Sequence, residues 1–216
     1  FYSQDEILDF RADYEKKYVE LELVPFPTIT AVDAKVDIFP HQRRIEATAS
    51  IQVVNRSDVA ISRFLVNLPQ YSRDVKVNIT GGQLGEVDKK FNTAWFEFSQ
   101  PLEPNEERSG ELVVVREHQG FKDTSEDPTL INNGTFIDNF ALFPNFGFNG
   151  NIRINDSHER RKRDLEPLQR AYALEDSSHY KESFFGPGVE FIDFSATIST
   201  SSDQFAIAPG YLQREW

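Results

Sequence analysis

The 216-residue chain contains no cysteine and no methionine. The absence of cysteine excludes disulfides and thiolate metal sites. No apolar run approaches the roughly 20 residues that a membrane-spanning helix needs. Because the chain has no initiator methionine and runs from Phe1 to Trp216 without a clear start or stop signal, we expect it to be a piece of a larger protein.

Positive charge is also scarce. Lys and Arg number 23 against 35 Asp and Glu, which gives a net charge of -12. Phosphate binding needs clustered Lys and Arg, so we expect no nucleic-acid partner. Aromatic residues are abundant instead, with 19 Phe, 7 Tyr and 2 Trp, and this composition favours strands over a helix bundle.

Residues 3–22 are predicted to form an acidic helix. Ser3 is a suitable N-cap, and acidic residues follow it in the first turn. The apolar positions recur at helical spacing, and they are Ile7, Phe10, Tyr14, Tyr18 and Leu21. Prolines at 25 and 27 end this helix, so we treat residues 1–24 as a lead-in segment and residues 25–216 as one β domain.

Beyond the helix, the hydrophobic period changes from 3.6 to 2. Apolar residues alternate with polar ones over 32–38 and again over 45–53, which predicts a hairpin with Val36 and Ile51 facing inward. Further strands are expected in "ISRFLVNLP", "DVKVNIT", "AWFEF" and "ELVVVRE". The predicted fold is mainly β, an antiparallel sandwich or sheet-rich domain with an N-terminal helix and a short helix near 157–165.

One stretch resembles half of a zinc signature. His158 and Glu159 begin the H-E-x-x-H pattern, but Lys162 stands where the second histidine should be. We therefore interpret residues 157–165 as a solvated helix whose charges are Arg160, Arg161, Lys162 and Arg163. No serine elbow is present, and the segments "GGQLG" and "FFGPG" are interpreted as turns. No catalytic or metal-binding residue is expected in this chain.

A Phe-rich stretch, "TFIDNFALFPNFGF", has no clear strand or helix period. Its aromatic members are Phe136, Phe140, Phe143, Phe146 and Phe148. They either pack into the core of their own domain or form a surface that covers a partner or another domain. The last part of the chain, 189–210, is predicted to be a strand, a turn and a second strand, with Phe191, Phe194 and Ile198 as apolar candidates.

The order of these segments resembles the N-terminal domain of zinc aminopeptidases of the aminopeptidase N type. The likeness is carried by "VDAKVDIFPHQRRIEATASIQVVN", "PLEPNEERSGELVVVRE", "LFPNF" and "FSATISTSSDQFAIAPG". The acidic first helix, "NGTFIDN" and the ending "IAPGYLQREW" are more narrowly similar to bacterial membrane proteins that fuse an ABC-type permease to an aminopeptidase N-like region.

The resemblance implies a saddle-shaped, non-catalytic domain that forms one wall of the substrate cavity. It implies zinc in a downstream catalytic domain, which would be the partner of the Phe-rich stretch, and peptide as a possible ligand. A residue about ten positions before the "FP" pair would help to hold the substrate amine, which points to Asn133 and secondarily to Asp138.

The family likeness also implies the soluble, extracytoplasmic part of a membrane protein. The alternative is a stand-alone immunoglobulin-like module that binds protein or glycan.

Overall fold

The computed structural model describes residues 3–118, 130–132, 134–168, 175, 177 and 191–216. These residues form three layers: a five-stranded sheet, here sheet A, a four-stranded sheet B, and an N-terminal helix on the outer face of sheet B. The predicted mainly β fold with antiparallel pairing is confirmed. In the part of the chain that is described, no helix is both long and apolar enough to cross a membrane.

The predicted N-terminal helix is present. Helix α1 spans Gln4–Tyr18 and is followed by a 3-10 segment over Val19–Leu23. The Ser3 hydroxyl accepts the backbone N–H of Glu6, and the Glu6 carboxylate accepts the backbone N–H of Ser3, which is a complete capping box. Tyr14 and Tyr18 are buried as expected, whereas Ile7 is exposed.

Sheet A contains the predicted hairpin. Its strands, in spatial order, are β11 (Asp193–Ser199), β1 (Thr28–Phe39), β2 (Arg44–Val54), β7 (Glu107–Glu117) and β4 (Ser72–Ile79). Strands β1 and β2 are antiparallel and pair Val36 with Ala47 and Val32 with Ile51. Only β11 runs parallel to its neighbour among these strands, a pairing with β1 that the sequence did not indicate.

Sheet B contains two strands that the sequence did not predict. Its order is β10 (Asn145–Phe146), β3 (Ile61–Asn67), β6 (Thr93–Leu102) and β5 (Gly82–Asp88). The segment "GGQLG" was interpreted as a turn, but only Thr80 and Gly81 turn the chain, and β5 begins at Gly82. Gly82 lies so close to Phe96 that a Cβ atom there would be 2.2 Å from its ring.

The remaining elements are short, and they include 3-10 turns at Pro40–Gln42 and Gly150–Ile152. A small hairpin joins β8 (Leu130–Ile131) to β9 (Gly134–Thr135), helix α2 spans Asn139–Leu142, and helix α3 spans Ser157–Lys162. Helix α3 confirms the short helix predicted near 157–165. Gly147, after β10, has a φ of +81°, and a Cβ atom there would lie 2.5 Å from the Phe26 ring.

The main core lies between the two sheets. Alternate residues of β1 and β2 point into it, and Val36 and Ile51 are both buried, as the alternation predicted. Phe64 and Phe96 enter from sheet B, with ring centroids 5.3 Å apart. Burying each such side chain stabilises the fold by roughly 1.5–3 kcal/mol, so this interface holds the sandwich together.

A second, aromatic core joins α1 to the outer face of sheet B. Tyr14 and Tyr18 pack with Leu65 and Phe91. The Tyr14 hydroxyl donates to Asn67 Oδ1 at 2.9 Å and accepts the backbone N–H of Asn149 at 3.0 Å. Burial raises the pKa of Tyr14 to about 12, so the phenol stays neutral and keeps both hydrogen bonds.

The end of the chain differs from the prediction. The first expected strand is β11, but residues 204–216, all described, contain no strand. Phe191 is fully exposed, Phe194 is 38% exposed and Ile198 is half-buried. Phe194 pairs with Val32 and so lies on the inner side of sheet A. Sheet B has one strand fewer than sheet A, which leaves that side of β11 without a facing strand among the described residues.

Candidate interaction surface

Helix α2 holds the middle of the Phe-rich stretch in a fixed turn. Asp138 is its N-cap, and its Oδ1 accepts the backbone N–H of Ala141 at 2.7 Å. At the other end, Asn145 Nδ2 donates to the carbonyl oxygens of Phe140 at 2.9 Å and Phe143 at 3.3 Å. The side chains of Asp138 and Asn145 therefore supply hydrogen bonds that a helix of one turn cannot make with its own backbone. These bonds fix the orientation of α2 and of the residues next to it.

Three of the five Phe side chains pack inside their own domain. Phe143 is buried in the core between the sheets. Phe146, on β10, contacts Phe64 with ring centroids 4.8 Å apart, and Phe148 stacks on Tyr14 at 5.7 Å. Of the two alternatives given for the Phe-rich stretch, packing into the core of its own domain therefore holds for these three residues.

The other two Phe side chains point to solvent. Phe136 is 83% exposed and Phe140 is 64% exposed, on either side of Asp138. Exposed aromatic residues held on a fixed turn are typical of interaction surfaces. The docking surface predicted from the sequence therefore reduces, within the described residues, to Phe136 and Phe140.

Of the two residues suggested for substrate binding, Asn133 lies outside the described residues and Asp138 lies within them. Asp138 is exposed, and only its Oδ1 accepts the capping bond. A carboxylate has two oxygens and several acceptor positions, so capping leaves Asp138 able to accept a further donor.

The zinc-like motif occupies the start of α3. Asp156 caps this helix, and its Oδ1 accepts the backbone N–H groups of His158 at 2.9 Å and Glu159 at 2.8 Å. The hydrogen bond from Glu159 is the main cause that lowers the pKa of Asp156. The His158 side chain is 75% exposed. Among the described residues, no three His, Asp or Glu side chains come together in a way that could hold a metal ion.

The interpretation of this helix as solvated is wrong for two of its four cations. Arg160 is buried and makes a bidentate ion pair with Glu15 of α1, at 2.9 and 2.7 Å. It also donates to the carbonyl oxygens of Ile154 and Glu166. Arg163 is buried as well, because carboxylates of α1 lie against α3 and pair with it.

A groove of about 440 Å³ lies where the β4–β5 turn meets β6 and β7. Arg108 lines it but is fully engaged, because it bonds to Glu106 and to the carbonyl oxygens of Gln100 and Pro101. Its guanidinium also lies 4.7 Å from the Phe98 ring centroid. The groove is thus built around a structural arginine.

No protein-family model matches the chain, and no curated protein is significantly similar to it. Among solved structures, an M1 zinc metallopeptidase from Deinococcus radiodurans is similar with a TM-score of 0.34 and 14% identity over 43% of this chain. A two-domain M1 zinc metallopeptidase mutant bound to L-tryptophan gives a TM-score of 0.36 and 16% identity over 50% of this chain. The chain covers 21% and 23% of the length of those two structures.

Proposed function

We propose that the chain is a non-catalytic N-terminal β domain of a zinc aminopeptidase of the aminopeptidase N type. In this role it forms one wall of the substrate cavity and docks the catalytic domain that holds zinc. We extend the proposal to a bacterial fusion with an ABC-type permease, in which this domain is the soluble, extracytoplasmic part of a membrane protein.

The sequence segments that carry the family resemblance support this proposal. They fall on consecutive parts of one β body: the β1–β2 hairpin, the β6–β7 connection, the α2–β10 turn and β11. The mainly β fold agrees with the saddle-shaped domain that the resemblance implies.

The observation that carries the docking role is the exposure of Phe136 and Phe140 on a turn fixed by Asp138 and Asn145. Covering a Phe side chain stabilises a complex by roughly 1.5–3 kcal/mol, which is a sufficient reason for a partner domain to cover both. Asp138, between them, is placed to accept a positively charged amine such as a peptide N-terminus. Asn133 remains the first candidate for that role by sequence position.

Hydrogen exchange tests the docking role. The chain is compared with a longer version of the same protein that continues beyond Trp216. Strong added protection over 134–142 is expected in the longer protein, and Phe136→Ser with Phe140→Ser should remove it. Val59→Ser is the matched control, because Val59 is an exposed apolar residue on a different loop. Equal protection in both lengths would contradict the proposal.

The alternative is an immunoglobulin-like binding or adhesion module, which the two packed sheets favour. The two functions predict different coding sequences downstream of Trp216. An H-E-x-x-H sequence within about one further domain's length supports the peptidase assignment, and its absence supports the binding module.

A further inference from the structure

Two kinds of contact hold α1 to the rest of the domain. Its second half carries Tyr14 and Tyr18, which are buried in the aromatic core, and Glu15, which pairs with buried Arg160. In its first half, residues 4–11, only Leu8 and Phe10 are half-buried and the rest are exposed. Phe10 belongs to the aromatic core, with its ring centroid 5.4 Å from that of Phe91, so the residues that depend most on ion pairs are 4–9, where Leu8 makes the apolar contact.

Ion pairs hold the first half against α3. Arg163 Nε lies 2.8 Å from Asp9 Oδ1, and Arg163 Nη2 lies 3.2 Å from Asp5 Oδ1. Lys162 Nζ is a further 3.3 Å from Asp5 Oδ1. The carboxylates are on the solvent side of these pairs, since the side chains of Asp5 and Asp9 are 69% and 65% exposed against 7% for Arg163.

Salt should act on the two halves differently. The distance over which charges interact falls from about 10 Å at 0.1 M salt to about 3 Å at 1 M, and exposed pairs are screened far more than buried ones. The pairs of Asp5 and Asp9 are open to this screening. The buried Glu15–Arg160 pair and the aromatic core around Tyr14 are not.

We propose that residues 4–9 form a charge-held flap, which opens at high ionic strength about a hinge just before Phe10, while Phe10 stays packed with Tyr14 and Tyr18 in the aromatic core. Opening uncovers Arg163 beside Lys162, which is already half-exposed, and so enlarges a cationic patch on a chain whose net charge is -12. It also uncovers Ile154 and Leu165, the apolar residues against which Leu8 packs. The device is a property of this domain and does not depend on the proposed peptidase role.

Hydrogen exchange followed residue by residue in 50 mM and 1 M sodium chloride tests the flap. Weak exposed pairs add up to a small free energy, so we expect exchange over residues 7–11 to be roughly tenfold faster at high salt. Residues 16–19 should change by less than about twofold, because their contacts are apolar or buried. A response shared equally by both halves, or none over 7–11, would refute the flap.

Two variants identify the latch. Arg163→Gln should speed exchange over 7–11 already at low salt and abolish the salt response, whereas Arg161→Gln, at an exposed neighbouring position, should behave as wild type. Because Arg163 also pairs with Glu159, the double variant Asp5→Asn with Asp9→Asn is tested alongside it. If both variants leave exchange over 7–11 unchanged, or raise it equally in the two halves, the ion pairs do not act as a latch.

Discussion

Replacing Glu15 tests the strongest charge contact in the domain. The Glu15→Leu variant leaves the Arg160 guanidinium buried without its bidentate partner, while its bonds to the carbonyl oxygens of Ile154 and Glu166 remain. Removing one member of a buried pair costs about 3–5 kcal/mol, because the remaining charge stays out of water. A domain of this size is stable by roughly 5–15 kcal/mol, so the loss is a large share of the total.

Urea denaturation followed by circular dichroism measures this loss. Glu20→Leu is the control, because Glu20 is exposed just after the same helix and the change in chemistry is identical. The double variant Glu15→Leu with Arg160→Met should recover only part of the stability, since the carbonyl oxygens of Ile154 and Glu166 then lose their donor. If Glu15→Leu is within about 0.5 kcal/mol of Glu20→Leu, the pair is not a buried contact and the placement of α3 is wrong.

Three further measurements probe the core, a turn and the surface charges. Val36→Asp should lower the free energy of unfolding by several kcal/mol in chemical denaturation, whereas Asp37→Asn should be nearly neutral; the reverse ranking would mean that β1 faces the other way. Gly147→Ala should lower the melting temperature, because a side chain there needs a positive φ and meets an aromatic ring; an unchanged temperature would contradict the turn. The pKa of Asp5 is lowered mainly by the hydrogen bond from Lys162, and the pKa of Asp88 mainly by the hydrogen bond from Lys17. The two ionised carboxylates therefore contribute their full stability above about pH 4, and this contribution is lost as the pH falls further. Denaturation midpoints from pH 7 to pH 2.5 should show that loss, and mutation of both residues to Asn should reduce it.

Local periodicity predicted the elements whose partners are close in sequence. The alternation over 32–38 and 45–53 placed Val36 and Ile51 correctly, because a hairpin fixes its own register through a short turn. The capping box at Ser3 likewise needs only residues within one helical turn. Strand β5 was missed because its glycines look like turn residues, although Gly82 is required there by the nearness of Phe96.

Contacts between distant segments were not predictable from local pattern. A run of cations over 160–163 was interpreted as solvated because its acidic partners lie about 150 residues earlier, on α1. A usable signal did exist. Asp5 and Asp9 are four residues apart and so lie on one side of the helix, and a basic segment is their natural complement.

Composition does not show which residues of the Phe-rich stretch are buried and which are exposed, whereas the geometry of the sheets does. Phe146 becomes internal because β10 pairs with the edge of β3, while Phe136 and Phe140 precede that pairing and remain outside. Phe143 also precedes β10 yet is buried at the end of α2, so the division depends on α2 as well as on β10, and a single sequence does not mark where either one lies.

The arrangement of the two sheets places Phe194 of β11 on the same side of the sandwich as Phe136 and Phe140. Strand β4 contacts β5, so the opposite edges, β11 of sheet A and β10 of sheet B, are both on the other side of the sandwich. The inner side of β11 carries the partly exposed Phe194, and the chain that leads into β10 carries Phe136 and Phe140. A partner that docks on the Phe-rich stretch should therefore reach β11 too. In the hydrogen-exchange comparison of the two chain lengths, added protection over 193–199 is expected together with that over 134–142, and protection of only one of them would place the partner elsewhere.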